Sequence, residues 1–62
     1  MRRLERTRVA KLLKAYLDGD IRLSEWELGF LESIEGYDDD RELTNKQEPI
    51  FARIWEKYGG EI

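Results

Sequence analysis

The stretch from Leu43 to Gly59, LTNKQEPIFARIWEKYG, constrains the fold more than any other part of the chain. Thr44 and Gln47 have the spacing of a capping box, in which each side chain satisfies a backbone N–H left without a partner at a helix start. Ile50, Phe51, Ile54, Trp55 and Tyr58 follow at steps that place five large side chains on one face of a 3.6-residue helix. Gly59-Gly60 supplies a stop. Pro49 falls at about the fifth helical position counted from Thr44. There it removes one hydrogen bond and crowds the carbonyl of Asn45, so a distorted first turn, or a regular start only near Glu48, is expected.

Two further helices can be read from their ends. Val9, Leu12, Leu13, Tyr16 and Leu17 form a stripe on a helix from about Leu4 to Leu17, with residues 1–3 frayed. Gly19, in Asp18-Gly19-Asp20, closes it by adopting the left-handed conformation. Ser24 and Glu27 make a second capping box, and Leu23 and Leu28 occupy the two positions of a hydrophobic staple. Trp26, Phe30, Leu31 and Ile34 continue that helix to Gly36. Gly29 lies inside it, at a cost of about 1 kcal/mol relative to alanine, which suggests close approach of a neighbouring helix. Residues 36–42, GYDDDRE, form the loop to the third helix.

These elements predict one all-α domain over residues 1–62, a small three-helix bundle. Short loops make the second and third helices an antiparallel hairpin, with the first packed across it. Trp26, Phe30, Ile34, Ile50, Phe51, Ile54 and Trp55 are assigned to the hairpin seam. Trp26 and Trp55 are thereby expected in the core, against the alternative of an exposed aromatic anchor. A chain of 62 residues buries only about 60% of the surface its unfolded form exposes, so stability is marginal and self-association as a homo-dimer would help it.

The pattern from Leu23 to Tyr58 resembles a short helical hairpin found in phage and prophage proteins. Its first half is carried by Leu23, Ser24, Trp26, Glu27, Phe30, Leu31, Ser33 and Ile34. Leu43, Thr44, Lys46, Gln47, Ile54, Trp55, Lys57 and Tyr58 carry the second. Pro49 departs from the usual pattern. Such hairpins occur alone in small phage proteins and look like terminal appendages on some replication proteins. The resemblance implies a phage or mobile-element setting and an association with DNA metabolism, and it implies no catalytic residue.

The chain has no histidine and no cysteine, which removes ordinary triads, thiol nucleophiles, imidazole bases, disulfides and the usual zinc sites. Neither a phosphate-binding glycine loop nor a dinucleotide fingerprint is present. The expectation is a non-enzymatic protein without cofactor or metal. Asp38, Asp39 and Asp40, with Glu35 and Glu42, are oxygen donors of the kind hard cations use, but their spacing fails the EF-hand pattern, and so does Asp18-Gly19-Asp20. No apolar run is long enough to cross a bilayer, and MRRLERTR leads into charged sequence where a signal peptide needs an apolar core. A soluble protein of the host cytoplasm is expected.

Charge is divided along the chain. Residues 1–17 hold Arg2, Arg3, Arg6, Arg8, Lys11 and Lys14 against Glu5 alone, and residues 18–42 hold ten carboxylates against Arg22 and Arg41. Basic and acidic segments lying side by side would account for this. A functional account follows in two versions. In the preferred one, the acidic residues Asp18, Asp20, Glu35, Asp38, Asp39, Asp40 and Glu42 face a protein partner, as in an inhibitor or adaptor of a host nucleic-acid-processing or defence complex. The alternative is a small nucleic-acid-binding protein that contacts phosphates through Arg2, Arg3, Arg6, Arg8, Lys11 and Lys14. The pI near 4.9 weighs against the alternative.

Overall fold

The computed structural model describes residues 2–38 and 40–62, and Asp39 therefore lies outside the described residues. Three helices, α1 (Arg3–Asp18), α2 (Glu25–Glu35) and α3 (Gln47–Tyr58), are followed by a short 3₁₀ turn (Gly59–Glu61). They form the expected all-α three-helix bundle. The backbone of α1 packs against both other helices. The Arg6 guanidinium donates to the Tyr37 carbonyl just beyond α2, so α1 and α2 run antiparallel. The end of α3 returns to the start of α2, where Tyr58 meets Glu27.

Local chemistry sets the helix ends. Gly19 takes φ 83°, its N–H reaches the Tyr16 carbonyl at 3.2 Å, and the Asp20 N–H reaches the Ala15 carbonyl at 2.9 Å. That pair of bonds is a Schellman closure. Both capping boxes form: Glu27 N–H to Ser24 Oγ at 3.2 Å with Ser24 N–H to Glu27 Oε1 at 2.9 Å, and Gln47 N–H to Thr44 Oγ1 at 3.2 Å with Thr44 N–H to Gln47 Oε1 at 3.0 Å. The Thr44 box spans a turn that leads directly into α3, placing Pro49 third in the helix. In the first turn a missing N–H costs nothing, so the proline is accommodated there, and of the two expected outcomes it is the regular start near Glu48 that is found.

The core takes Val9, Leu12 and Ala15 from α1, Leu31 and Ile34 from α2, and Phe51, Ile54 and Tyr58 from α3. Ile21, Leu23 and Leu43 add to it from the connections. Two sequence assignments fail. Leu17 belongs to the heptad-like stripe of α1 yet is 81% exposed, because the buried arc is centred on Leu12 and Leu17 lies well to one side of it. Trp26 is 62% exposed and is not in the core. The inward face of α2 is Glu27, Leu31 and Ile34, and Trp26, about 100° round the helix from Glu27, falls on its shoulder.

The glycines also differ from expectation. Gly29 has no neighbour that a β-carbon would meet, so no helix crosses closely there. Gly59 adopts right-handed φ −60°, ψ −30°, continuing the helical sense into the 3₁₀ turn instead of reversing it. Its role is space: a β-carbon there would lie 2.8 Å from the Trp55 indole. Gly29→Ala should therefore raise stability by about 1 kcal/mol, the ordinary helix-propensity gain at an open site. Gly59→Ala should lower it by about 1–3 kcal/mol through crowding of the indole. Urea denaturation of the two variants beside the parent measures both.

Candidate interaction surface

A carboxylate at the start of α2 organises the surface around it. Glu27 is the third residue of its helix, and its capping role turns it back toward Ser24. In that position it is only 9% exposed. Oε1 accepts from the Ser24 N–H and from the Tyr58 hydroxyl at 2.8 Å, and Oε2 lies 3.8 Å from Lys57 Nζ. Burial alone would raise the Glu27 pKa. The Ser24 N–H, the Tyr58 hydroxyl, the Ser24 hydroxyl and the Lys57 charge together outweigh burial and hold it below the usual 4.5.

With Glu27 turned inward, Trp26 is carried outward. Its indole stacks on Phe30, one turn later, with ring centroids 5.8 Å apart and planes inclined by 10°. Beside it opens a groove of about 650 Å³ between the start of α2 and α3. Trp26, Pro49, Ile50 and Ile54 give it apolar walls, and Arg53 and Lys57 supply cations along the α3 side. On the other side of α3, Trp55 is half-buried, with the Arg8 guanidinium 4.9 Å from its ring centre.

Half of the basic candidates make contacts within the molecule. Arg2 lies 3.9 Å from Glu42, Arg6 binds the Tyr37 carbonyl and Arg8 covers Trp55. Arg3, Lys11 and Lys14 are exposed. The acidic candidates do not form one face. Asp18 and Asp20 stand at the C-terminal end of α1, in a shallow depression shared with Lys11 and Lys14. Asp38, Asp40 and Glu42 belong to the loop at the opposite end, where Arg6 and Arg2 contact it, and Glu35 lies between the two ends, beside a depression that also takes in Lys14 and Leu17. From Arg6 to Asp18, α1 rises through twelve residues, roughly 18 Å, between the loop and the Asp18–Asp20 end. Asp39 lies outside the described residues. Among the described residues no cluster of acidic side chains converges as a metal site would require, and no helix is long and apolar enough to cross a membrane.

Tyr37 is the feature that sequence reasoning missed. Besides its carbonyl bond to Arg6, its hydroxyl accepts from Gln47 Nε2 at 3.0 Å, and the Arg41 guanidinium sits 4.1 Å over its ring. The lone aromatic residue in a run of carboxylates was the available signal. It ties the acidic loop to the starts of α1 and α3.

Comparison with protein-family models, with curated proteins and with solved structures finds no match to this chain.

The Glu27 contacts set an acid dependence. Its carboxyl ionises more readily in the folded chain than in the unfolded one, so the folded state binds fewer protons. The resulting stability is complete above pH 4.5 and is lost as pH falls through the lower folded value. Glu27→Gln should therefore flatten the fall in stability below that pH. Tyr58→Phe should cost about 1.5–3 kcal/mol at neutral pH, the worth of a hydrogen bond to a charged group. Chemical denaturation from pH 7 down to 3 tests both.

Proposed function

We propose that the protein is a non-catalytic protein-interaction domain that engages its partner through Trp26 and the adjoining groove. The observation that carries this reading is the exposed, pre-stacked indole of Trp26 in a chain with very little core to spare. Tryptophan is the residue most enriched among the anchors that dominate binding energy at interfaces. Stacking on Phe30 limits its freedom before a partner arrives, which lowers the ordering cost of binding. The absence of histidine and cysteine from the sequence supports a role other than catalysis.

The resemblance of residues 23–58 to phage helical hairpins supports placing the partner in a host nucleic-acid-processing or defence complex, with the protein as inhibitor or adaptor. Within that role the Trp26 groove is favoured over the acidic residues, which do not form one face. It is favoured over nucleic acid because Arg2, Arg6 and Arg8 already serve intramolecular contacts.

The test compares the parent with Trp26→Ala and with a variant carrying Asp38, Asp39 and Asp40 as asparagine. Host extract is passed over each immobilised protein, and the affinity of the retained protein is then measured. Trp26→Ala should weaken it about thirtyfold or more, as loss of an interface anchor does, while helicity stays at the parent level. The asparagine variant should bind as the parent does. Equal affinity of parent and Trp26→Ala would overturn the reading. So would salt-sensitive retention on duplex DNA that is abolished by replacing Arg2, Arg3, Arg6 and Arg8.

A further inference from the structure

A second surface lies on the other shoulder of α2 and is independent of the Trp26 groove. Two adjoining depressions between α1 and α2, of 310 and 400 Å³, share Leu13, Leu17 and Glu35. Along α1 the positions Arg6, Ala10, Leu13 and Leu17 are spaced by four, three and four residues, the interval of a helix–helix seam. This seam is separate from the one α1 gives to its own core. Ala10 keeps it shallow, Leu13 and Leu28 are half-buried, and Leu17 stands almost fully in water.

Charge borders this apolar strip asymmetrically. Lys14 lies on the α1 edge, and Glu32 and Glu35 lie on the α2 edge. Among the described residues neither Lys14 nor Glu32 has an ion-pair partner in its own chain. A strip that is basic on one edge and acidic on the other is complementary to itself. Rotation by 180° about an axis along the strip lays the α1 edge of one copy on the α2 edge of the other, twice over. That rotation carries the edge holding Lys14 over the edge holding Glu32 and Glu35 of the second copy, and the leucines close over one another between them.

We infer that a second copy of this chain docks on the α1–α2 groove, forming a two-fold dimer in which Leu17 is the central apolar contact and Lys14 pairs with Glu32 across the axis. Burying Leu17 on both sides removes the largest exposed aliphatic surface of α1. The charge division of the sequence, basic in α1 and acidic beyond it, becomes an intermolecular complement.

Sedimentation equilibrium of the parent and of four samples tests this. The parent should dimerise within the micromolar to millimolar range. Leu17→Lys, which places a favourable cation at a helix C-terminus, should weaken dimerisation roughly a hundredfold by removing one leucine from each side. Lys14→Glu alone and Glu32→Lys alone should be monomeric where the parent is dimeric, because each meets its own charge. Mixed in equal amounts, those two variants should form a heterodimer, since each then supplies the charge the other needs. All three positions are solvent-facing, and circular dichroism confirms that each variant keeps its helices. A parent that stays monomeric through the millimolar range overturns the proposal. So does a dimer unaffected by Leu17→Lys, or a pair of charge variants that fail to recover association when mixed.

Discussion

One buried carboxylate ties the start of α2 to the end of α3. Glu27 caps its own helix through Ser24 and receives the hydroxyl of Tyr58 from the end of α3. A carboxylate this far from water is tolerated only because its oxygens are satisfied, and removing one partner leaves a desolvated charge. The network therefore has a steep preference for one arrangement. Together with Leu31 and Ile34 on the same inward face, it fixes which side chains of α2 reach the core and which are left outside. Lys57 contributes less, since its ammonium is largely in water and its attraction is screened there.

What was legible in the sequence was local. The boxes at Ser24–Glu27 and Thr44–Gln47 and the left-handed Gly19 depend on residues within one turn of each other, and all three form as read. The rotational setting of α2 was not legible, because Trp26, Leu28, Phe30, Leu31 and Ile34 cover so wide an arc that periodicity alone permits several inward faces. The face that turns inward joins Leu31 and Ile34 to a polar residue, Glu27, whose bond to Tyr58 comes from thirty-one positions away. Trp26 was therefore assigned to the seam by its size and left outside by its neighbour. The inward turn of Ile21, Leu23 and Leu43 was hidden for a related reason. They lie in connections without a period, and only the placement of the helices decides that they are covered.

The charge division had a visible consequence that pattern reading described only in outline. Opposite charges do meet, but at one end of the bundle, where Arg2 approaches Glu42 and Arg6 ties down the backbone of Tyr37. Exposed pairs of this kind are worth little each. Their effect is to orient the long loop. With Tyr37 also held by Gln47 and Arg41, an acidic segment that would repel itself is fixed against the starts of two helices. Two of the arginines that first suggested phosphate contact, Arg2 and Arg6, are thereby accounted for without a ligand.

The small core explains why both shoulders of α2 carry apolar residues into solvent. Three short helices enclose a volume that Leu12, Leu31 and Ile34 already fill, and an indole and a further leucine cannot be added without overpacking. Trp26 and Phe30 lie on one shoulder, Leu28 on the other beside Leu17, and Glu27 faces inward between them. Because the shoulders face different ways, occupation of the α1–α2 groove by a second copy leaves both Trp26 grooves open. A dimer then displays the indole twice. On a partner with repeated sites, the second engagement is intramolecular, and modest affinity at each groove becomes strong attachment overall. In a domain too small to bury all its apolar surface, the same surplus that limits the stability of the single chain is what the proposed associations would cover.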